Sequence, residues 1–152
     1  TAATFYPGVG LVEFSVSVGR GTDIPFEILG APYVKEAEFA KAMNDAMLSG
    51  VRVEPTRFTP ASSIFKGQEC GGVKLFLTDR NALNAVDLGV TIALTFQRLY
   101  PNDFALEKVN RLLRDDPTLE AIRTDKRLTE IKSMWVTGQS DFAKRRAKFL
   151  RY

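Results

Sequence analysis

Residues 70–99 read CGGVKLFLTDRNALNAVDLGVTIALTFQRL, and this stretch decides the fold class because its hydrophobic pattern changes period along its length. Over 73–78 every second residue is valine or leucine, which predicts a β-strand with one apolar face. Over 81–99 the apolar residues recur at spacings of three and four, which predicts the longest helix of the chain, packed on the sheet. We expect Asp79 or Asn81 to cap the N-terminus of this helix.

Before this stretch the sequence predicts three further strands and one helix. The β-branched run at 9–18 predicts a buried strand, and 26–34 predicts a short strand that its prolines confine to a sheet edge. Residues 35–50 predict an amphipathic helix that ends at a glycine. Residues 51–58 predict a strand broken at Pro55.

After residue 101 the chain carries only helical patterns. Strands early and helices late predict an α+β fold, with a small mixed sheet from the N-terminal half packed against helices and a helical C-terminal third. Neither a repeat nor a linker divides the sequence, and 152 residues suit one ordinary domain. We therefore interpret 1–152 as a single domain.

Composition excludes several functional classes. The net charge of +3 is too small to predict nucleic-acid binding, and the apolar runs are too short to span a membrane. The absence of histidine excludes a Ser-His-Asp triad or a histidine metal site within this chain, and no metal or organic cofactor is implied. The sequence starts without methionine, so we expect a domain of a longer protein.

Residues 17–27, SVGRGTDIPFE, place Arg20 between two glycines. The pattern fits an anion-binding loop, and it equally fits a tight turn whose arginine pairs with Glu13 or Glu27. A Walker-type loop is excluded because the lysine followed by serine or threonine is missing. Glu13 and Glu27 are also expected on the two strands that the loop joins, where they could form the carboxylate pair of a glycosidase.

Three other features have both a structural and a functional interpretation. Ser15 and Ser17 offer hydroxyls either to a sugar or to ordinary hydrogen bonds. We interpret the single cysteine, Cys70, as a packed structural residue because no histidine is present to activate it. The basic end of the chain, KRRAKFLRY at 144–152, fits an amphipathic helix with a solvated basic side better than a membrane-surface or nucleic-acid patch, because its apolar face is short.

Several stretches in the same order resemble the C-terminal domain of the bacterial exo-β-N-acetylmuramidase family, long catalogued as a domain of unknown function. These are YPGVGLVEFSVSVGRGTDIPFEILGAP, FTPASSIFKGQECGGVKLFLTDR and the closing KRRAKFLRY. The resemblance implies a two-domain glycosidase that releases N-acetylmuramic acid from the non-reducing ends of peptidoglycan fragments. It also implies an N-terminal Rossmann-like domain that holds the principal catalytic acids. The region that this chain resembles is the smaller C-terminal domain, which closes the cleft.

Within the family motif, the resemblance carries over Glu13, Arg20, Gly21 and Thr22, and it makes Glu13 the only catalytic candidate of this chain. Ser15 joins these four as a candidate for substrate binding. The motif here is about one residue shorter than the family pattern and lacks its asparagine. Arginine held between glycines is a suitable partner for the lactyl carboxylate of N-acetylmuramic acid.

The leading hypothesis is therefore a substrate-cleft domain that is inactive without its N-terminal catalytic domain. The alternative is a stand-alone carbohydrate- or peptidoglycan-binding module without catalysis. The expected partners are a saccharide that contains N-acetylmuramic acid and the catalytic domain of the same protein, with neither nucleic acid nor a membrane span. The sequence is compatible with a secreted, a periplasmic or a cytoplasmic location.

Overall fold

The computed structural model of the protein describes residues 1–150, and it has the α+β architecture that the sequence predicts. One short 3-10 helix, Gly10–Val12, follows the first helix. The strands are β1 (Ile28–Ala31), β2 (Val51–Phe58) and β3 (Cys70–Leu77). The helices are α1 (Ala2–Val9), α2 (Glu36–Asp45), α3 (Ala85–Leu99), α4 (Leu106–Leu113), α5 (Asp116–Arg123) and α6 (Leu128–Ala147).

The sheet has the strand order β1-β3-β2, and both pairings are antiparallel rather than the mixed arrangement expected. β1 is an edge strand, as the flanking prolines indicate. β2 runs unbroken through Pro55, which lies opposite Val73, so the predicted interruption is wrong. β2 forms the other edge of the sheet, where a residue without an N–H group is tolerated because one side of the strand has no neighbour.

The predicted strand at 9–18 is wrong. This segment continues from α1 through the 3-10 helix, and its only contact of strand type is the bridge between Ser17 and Gly30. The buried side chains explain the difference, because they follow the helical spacing of four, three and four residues instead of alternating. These fully buried residues are Phe5, Val9, Val12 and Val16.

α1 and α3 cross at two glycines. A Cβ built on Gly8 would lie 2.1 Å from the carbonyl oxygen of Ala85, and one built on Gly89 would lie 2.6 Å from the carbonyl oxygen of Gly8. The two backbones therefore approach more closely than any side chain at these positions would permit. This contact gives α3 its position against the N-terminal segment that leads to the Arg20 region.

The remaining helices agree with the sequence in type and differ in extent. α6, with 20 residues, is longer than α3, with 15, so α3 is not the longest helix. α2 ends at Asp45, five residues before the glycine at which the predicted helix ends, and Met47 beyond its end is 86% exposed. The helices after residue 101 form the expected helical C-terminal third. Among residues 1–150, no helix combines the length and the apolar character that crossing a membrane requires.

The N-cap of α3 is Asn84 rather than either predicted residue. Its side-chain oxygen accepts hydrogen bonds from the backbone of Val86 at 3.0 Å and Asp87 at 3.1 Å. Asp79 instead accepts from the backbone of Asn81 at 2.8 Å, which closes the turn before the helix.

We expect Asn84→Ala to lower the free energy of unfolding by about 1 kcal/mol, because two N–H groups of the first turn lose their acceptor. Asn81→Ala is the matched control and should change it by less than about 0.5 kcal/mol. Urea unfolding of both variants measures the difference. Equal effects of the two substitutions would contradict the assignment of the cap.

Candidate functional site

The Arg20 loop, defined as residues 19–22, is a tight turn that depends on its glycines. Gly19 has a φ of 74° and Gly21 a φ of 80°, both in the left-handed region that glycine adopts without steric cost. A Cβ on Gly21 would lie 2.7 Å from the backbone nitrogen of Ser62. The second glycine therefore serves both the turn and a close approach to the neighbouring loop between β2 and β3.

Thr22 holds the loop closed. Its hydroxyl donates to the carbonyl oxygen of Gly19 at 2.7 Å, and its backbone N–H donates to the same oxygen at 3.0 Å. The backbone N–H of Ser62 donates to the carbonyl oxygen of Arg20 at 3.3 Å, so the neighbouring loop anchors the turn from outside. These bonds fix the direction in which the Arg20 side chain leaves the backbone.

Arg20 pairs with Glu13, one of the two partners that the sequence allowed. The Nε and Nη2 atoms of Arg20 donate to Oε2 of Glu13 at 3.2 Å and 2.5 Å. Glu13 follows the 3-10 helix instead of lying on a strand, so the expected hairpin with Glu27 does not form. Among residues 1–150, neither Glu27 nor any other group accepts a hydrogen bond from Nη1 of Arg20.

Two aromatic side chains that the sequence analysis did not single out extend the site. The guanidinium carbon of Arg20 lies 4.9 Å from the ring centre of Phe26, and the ring of Tyr6 meets Phe26 edge-on at 4.8 Å. Tyr6 is 52% exposed on α1. Phe26 adopts a φ of 65°, a conformation that costs a bulky residue free energy and that clusters at functional sites. Its proximity in sequence to Arg20 was the only available signal.

Ser15 lies beneath the loop rather than on its surface. Its side chain is 3% exposed, and its hydroxyl donates to the carbonyl oxygen of Ala105 at 2.9 Å. Ser17 is similarly buried and accepts the backbone N–H of Gly19 at 3.3 Å. The Ser15 bond ties the segment between Glu13 and the loop to the connection between α3 and α4, and the Ser17 bond holds the entry to the loop. The structure thus gives both serines contacts that position their neighbours.

Burial also determines the chemistry of Cys70 and Tyr33. Cys70 is fully buried, as predicted, and burial raises the pKa of its thiol to about 11, so it is not an activated nucleophile at neutral pH. Burial, followed by the charge of Asp103, raises the pKa of the Tyr33 phenol well above its usual range. The ring of Tyr33 meets Phe65 edge-on at 6.3 Å, in the loop next to the Arg20 loop.

A larger cavity lies away from the Arg20 loop, and polar groups on its wall are engaged within the protein. It measures about 490 Å³ between α2, α3 and the start of α6. Arg98, on its wall, pairs with Asp125, and the hydroxyl of Thr95 donates to the carbonyl oxygen of Thr91. Within residues 1–150, no group of three or more acidic or cysteine side chains could hold a metal ion.

The Arg20 loop is therefore an exposed, preorganised cationic site with hydroxyl and aromatic neighbours. Arg20 is 41% exposed and its partner Glu13 only 16% exposed, so the pair presents the guanidinium to solvent and keeps the carboxylate behind it. Such an arrangement can bind a carboxylate or a phosphate on one side and the face of a sugar ring on the other.

Residues 4–152 match the family described as the C-terminal domain of exo-beta-N-acetylmuramidase NamZ. The chain is 34% identical over 151 residues to peptidoglycan beta-N-acetylmuramidase NamZ of Bacillus subtilis strain 168. This alignment covers 97% of the chain and 36% of that relative, so the chain spans about a third of the relative's length.

Two solved structures of DUF1343 family proteins from Bacteroides fragilis share the fold. The first has a TM-score of 0.82 at 22% identity, and it is matched over 99% of this chain and 42% of its own. The second has a TM-score of 0.69 at 24% identity, over 99% of this chain and 40% of its own. The architecture described above is therefore that of one part of larger proteins.

Proposed function

The chain belongs to the family of NamZ C-terminal domains, and on that premise we propose that it is the substrate-cleft domain of a peptidoglycan-processing glycoside hydrolase. The hydrolase releases N-acetylmuramic acid from non-reducing ends. Its principal catalytic carboxylates belong to an N-terminal domain outside this chain, so this chain alone is inactive. What binds here is the end of the saccharide that carries the lactyl group.

The observation that carries the proposal is the geometry of Arg20. Two of its nitrogens share one oxygen of Glu13, while Nη1 has no acceptor among residues 1–150 and the side chain is 41% exposed. A carboxylate bound at this free edge of the guanidinium would make charge-assisted hydrogen bonds without breaking the pair with Glu13. The lactyl carboxylate distinguishes N-acetylmuramic acid from N-acetylglucosamine, so Arg20 is the residue that reads this difference.

The neighbours of Arg20 have assigned parts in this proposal. Thr22 and Gly21 hold the loop, and Glu13 orients the guanidinium, with only its 16% exposed part open to a sugar hydroxyl. Ser15 keeps the segment that carries Glu13 in place through its bond to Ala105. Glu13 is engaged by Arg20 and follows the 3-10 helix instead of lying on a strand opposite Glu27, which supports a binding role over catalysis by this chain alone.

The openness of the site supports a partner domain. Arg20 and the Tyr6 ring lie on an exposed shelf, whereas saccharide and small-molecule sites enclose most of their ligand between concave walls. The NamZ relative is nearly three times as long as the aligned region, since the chain covers 36% of it. In this proposal, the rest of the polypeptide forms an additional domain that encloses the other side of the saccharide and supplies the catalytic groups.

Calorimetry with a disaccharide that ends in N-acetylmuramic acid tests the proposal. We expect weak or undetectable heat with this chain alone and clear binding when the preceding domain of its gene product is present. The matched disaccharide that ends in N-acetylglucosamine should bind at least about tenfold more weakly, because it lacks the carboxylate. Equally tight binding by the chain alone would instead favour a stand-alone binding module.

A further inference from the structure

The second half of α6 projects from the body of the protein. Ile131 is the only buried residue of this 20-residue helix, and every side chain from Val136 to Leu150 is exposed. The last hydrogen bond and ion pair to the body among residues 1–150 are those of the Trp135 indole with the Thr118 hydroxyl, at 2.8 Å, and of Lys132 with Asp87, at 2.6 Å. A helical segment this short is marginal in water without a packing partner.

The projecting segment carries an aromatic stripe. Trp135 and Phe142 are seven residues apart, which places them on one side of α6. Phe149 follows in the turn after the helix end at Ala147, and Phe142 and Phe149 are 58% and 81% exposed. Gly138 lies between the first two rings, and a Cβ there would meet nothing within 4 Å. A groove of about 440 Å³ opens at this point between α6 and the start of α5. A second hollow, of about 430 Å³, lies between Phe142 and Phe149.

The charge beside the stripe determines the kind of partner. The segment 136–150 has one acidic residue, Asp141, and four basic ones, which are Lys144, Arg145, Arg146 and Lys148. A second copy of the same helix would bring like charges together, whereas an apolar surface with an acidic rim would satisfy both the rings and the cations. Arg151, which belongs to the same basic cluster in the sequence, lies outside the described residues.

We propose that the aromatic stripe of α6 is the docking surface for the additional domain of the same polypeptide. The NamZ relative and the two similar structures are each matched over only 36%, 42% and 40% of their length, so the same fold occurs there beside a larger remainder of chain. The inference rests on the proposed function for the existence of that domain. It adds the contact that holds the Arg20 loop opposite the catalytic groups of that domain.

Amide hydrogen exchange on the full-length gene product, compared with this chain alone, tests the docking. We expect the amides of 136–147 to exchange at least about tenfold more slowly in the full-length protein, because docking suppresses fraying of the segment. The double variant Phe142→Glu and Phe149→Glu should abolish that protection. Ser140→Glu with Ala147→Glu adds the same two charges on the opposite side of the helix and should retain it.

Three results would overturn the docking surface. One is exchange of 136–147 at the same rate in both proteins, and another is protection that survives the Phe142 and Phe149 substitutions. The third is protection that this chain shows alone and that rises with its concentration, which would identify a second copy as the partner. Hydrolysis of a muramic acid substrate is measured on the same full-length sample, so an inactive protein with a protected α6 refutes only the proposed function.

Discussion

Replacing Arg20 with alanine in the full-length polypeptide is expected to lower kcat/KM on a chromogenic N-acetylmuramic acid substrate about a hundredfold, which corresponds to about 2.7 kcal/mol of lost transition-state binding. The loss should appear mainly as a raised KM, since the free edge of the guanidinium binds a group that does not react. The kcat/KM of Arg20→Lys should lie between that of Arg20→Ala and that of the unmodified protein, because lysine keeps the charge and loses the planar guanidinium.

The protein offers a matched control for this substitution. Arg52, on β2, also pairs with a glutamate, Glu54, and also lies over an aromatic ring, with its guanidinium carbon 4.5 Å from the centre of Phe76. Arg52→Ala therefore removes the same set of contacts at another exposed place. Each substitution should cost at most about 1 kcal/mol of stability, as exposed ion pairs do.

The comparison separates a functional role of Arg20 from a structural one. A loss of kcat/KM confined to the Arg20 variants, with unfolding midpoints close to that of Arg52→Ala, is the expected result. Equal kinetics for Arg20→Ala, Arg52→Ala and the unmodified protein would remove Arg20 from the substrate site. A large loss of stability in Arg20→Ala alone would make the loop a structural element instead.

The largest effect on stability is expected from Gly8→Ala. The added methyl group would lie 2.1 Å from the carbonyl oxygen of Ala85, so α1 and α3 would have to separate. Helix propensity by itself favours alanine over glycine by about 1 kcal/mol, and the clash has to exceed this gain. We expect a net loss of about 3 kcal/mol in the free energy of unfolding. For a domain of this size, that lowers the Tm by about 10 °C.

Gly138→Ala is the matched control, because it is also a glycine-to-alanine change within a helix. A Cβ at Gly138 meets nothing within 4 Å in this chain, so only the propensity term remains and stability should rise by up to about 1 kcal/mol. Thermal unfolding of both variants of this chain measures the opposite signs. A Gly8→Ala protein as stable as the unmodified one would contradict the close crossing of α1 and α3.

Local patterns predicted the elements whose signals are strong along the chain. β3 has the alternation expected at 73–78, and α2 and the C-terminal helices follow their helical spacing. The predicted strand at 9–18 is wrong because its β-branched residues favour strands, whereas the spacing of the buried residues is helical. Val9, Val12 and Val16 are buried at helical intervals, and contact with α3 through Gly8 and Gly89 outweighs their preference for strands.

The positions of Pro55 and Asn84 show a second reason why prediction from the sequence is incomplete. Whether a proline interrupts a strand depends on whether both sides of that strand have neighbours, and β2 turns out to be an edge. Which polar residue caps α3 depends on where the chain leaves the turn that Asp79 closes. Neither property can be computed from residue type and spacing, because each depends on the position of another element.

The sequence by itself determined the α+β class, the placing of Arg20 between two glycines and the resemblance to the muramidase C-terminal domains, since these depend on residue types at short, fixed spacing. Only the tertiary structure decided that Arg20 pairs with Glu13 and not Glu27, that Tyr6 and Phe26 join the site, and that the end of α6 is uncovered. These contacts join residues that are distant along the chain, and the exposure of the end of α6 depends on which elements pack against it. The packing of the whole chain therefore determines both the contacts and the exposure.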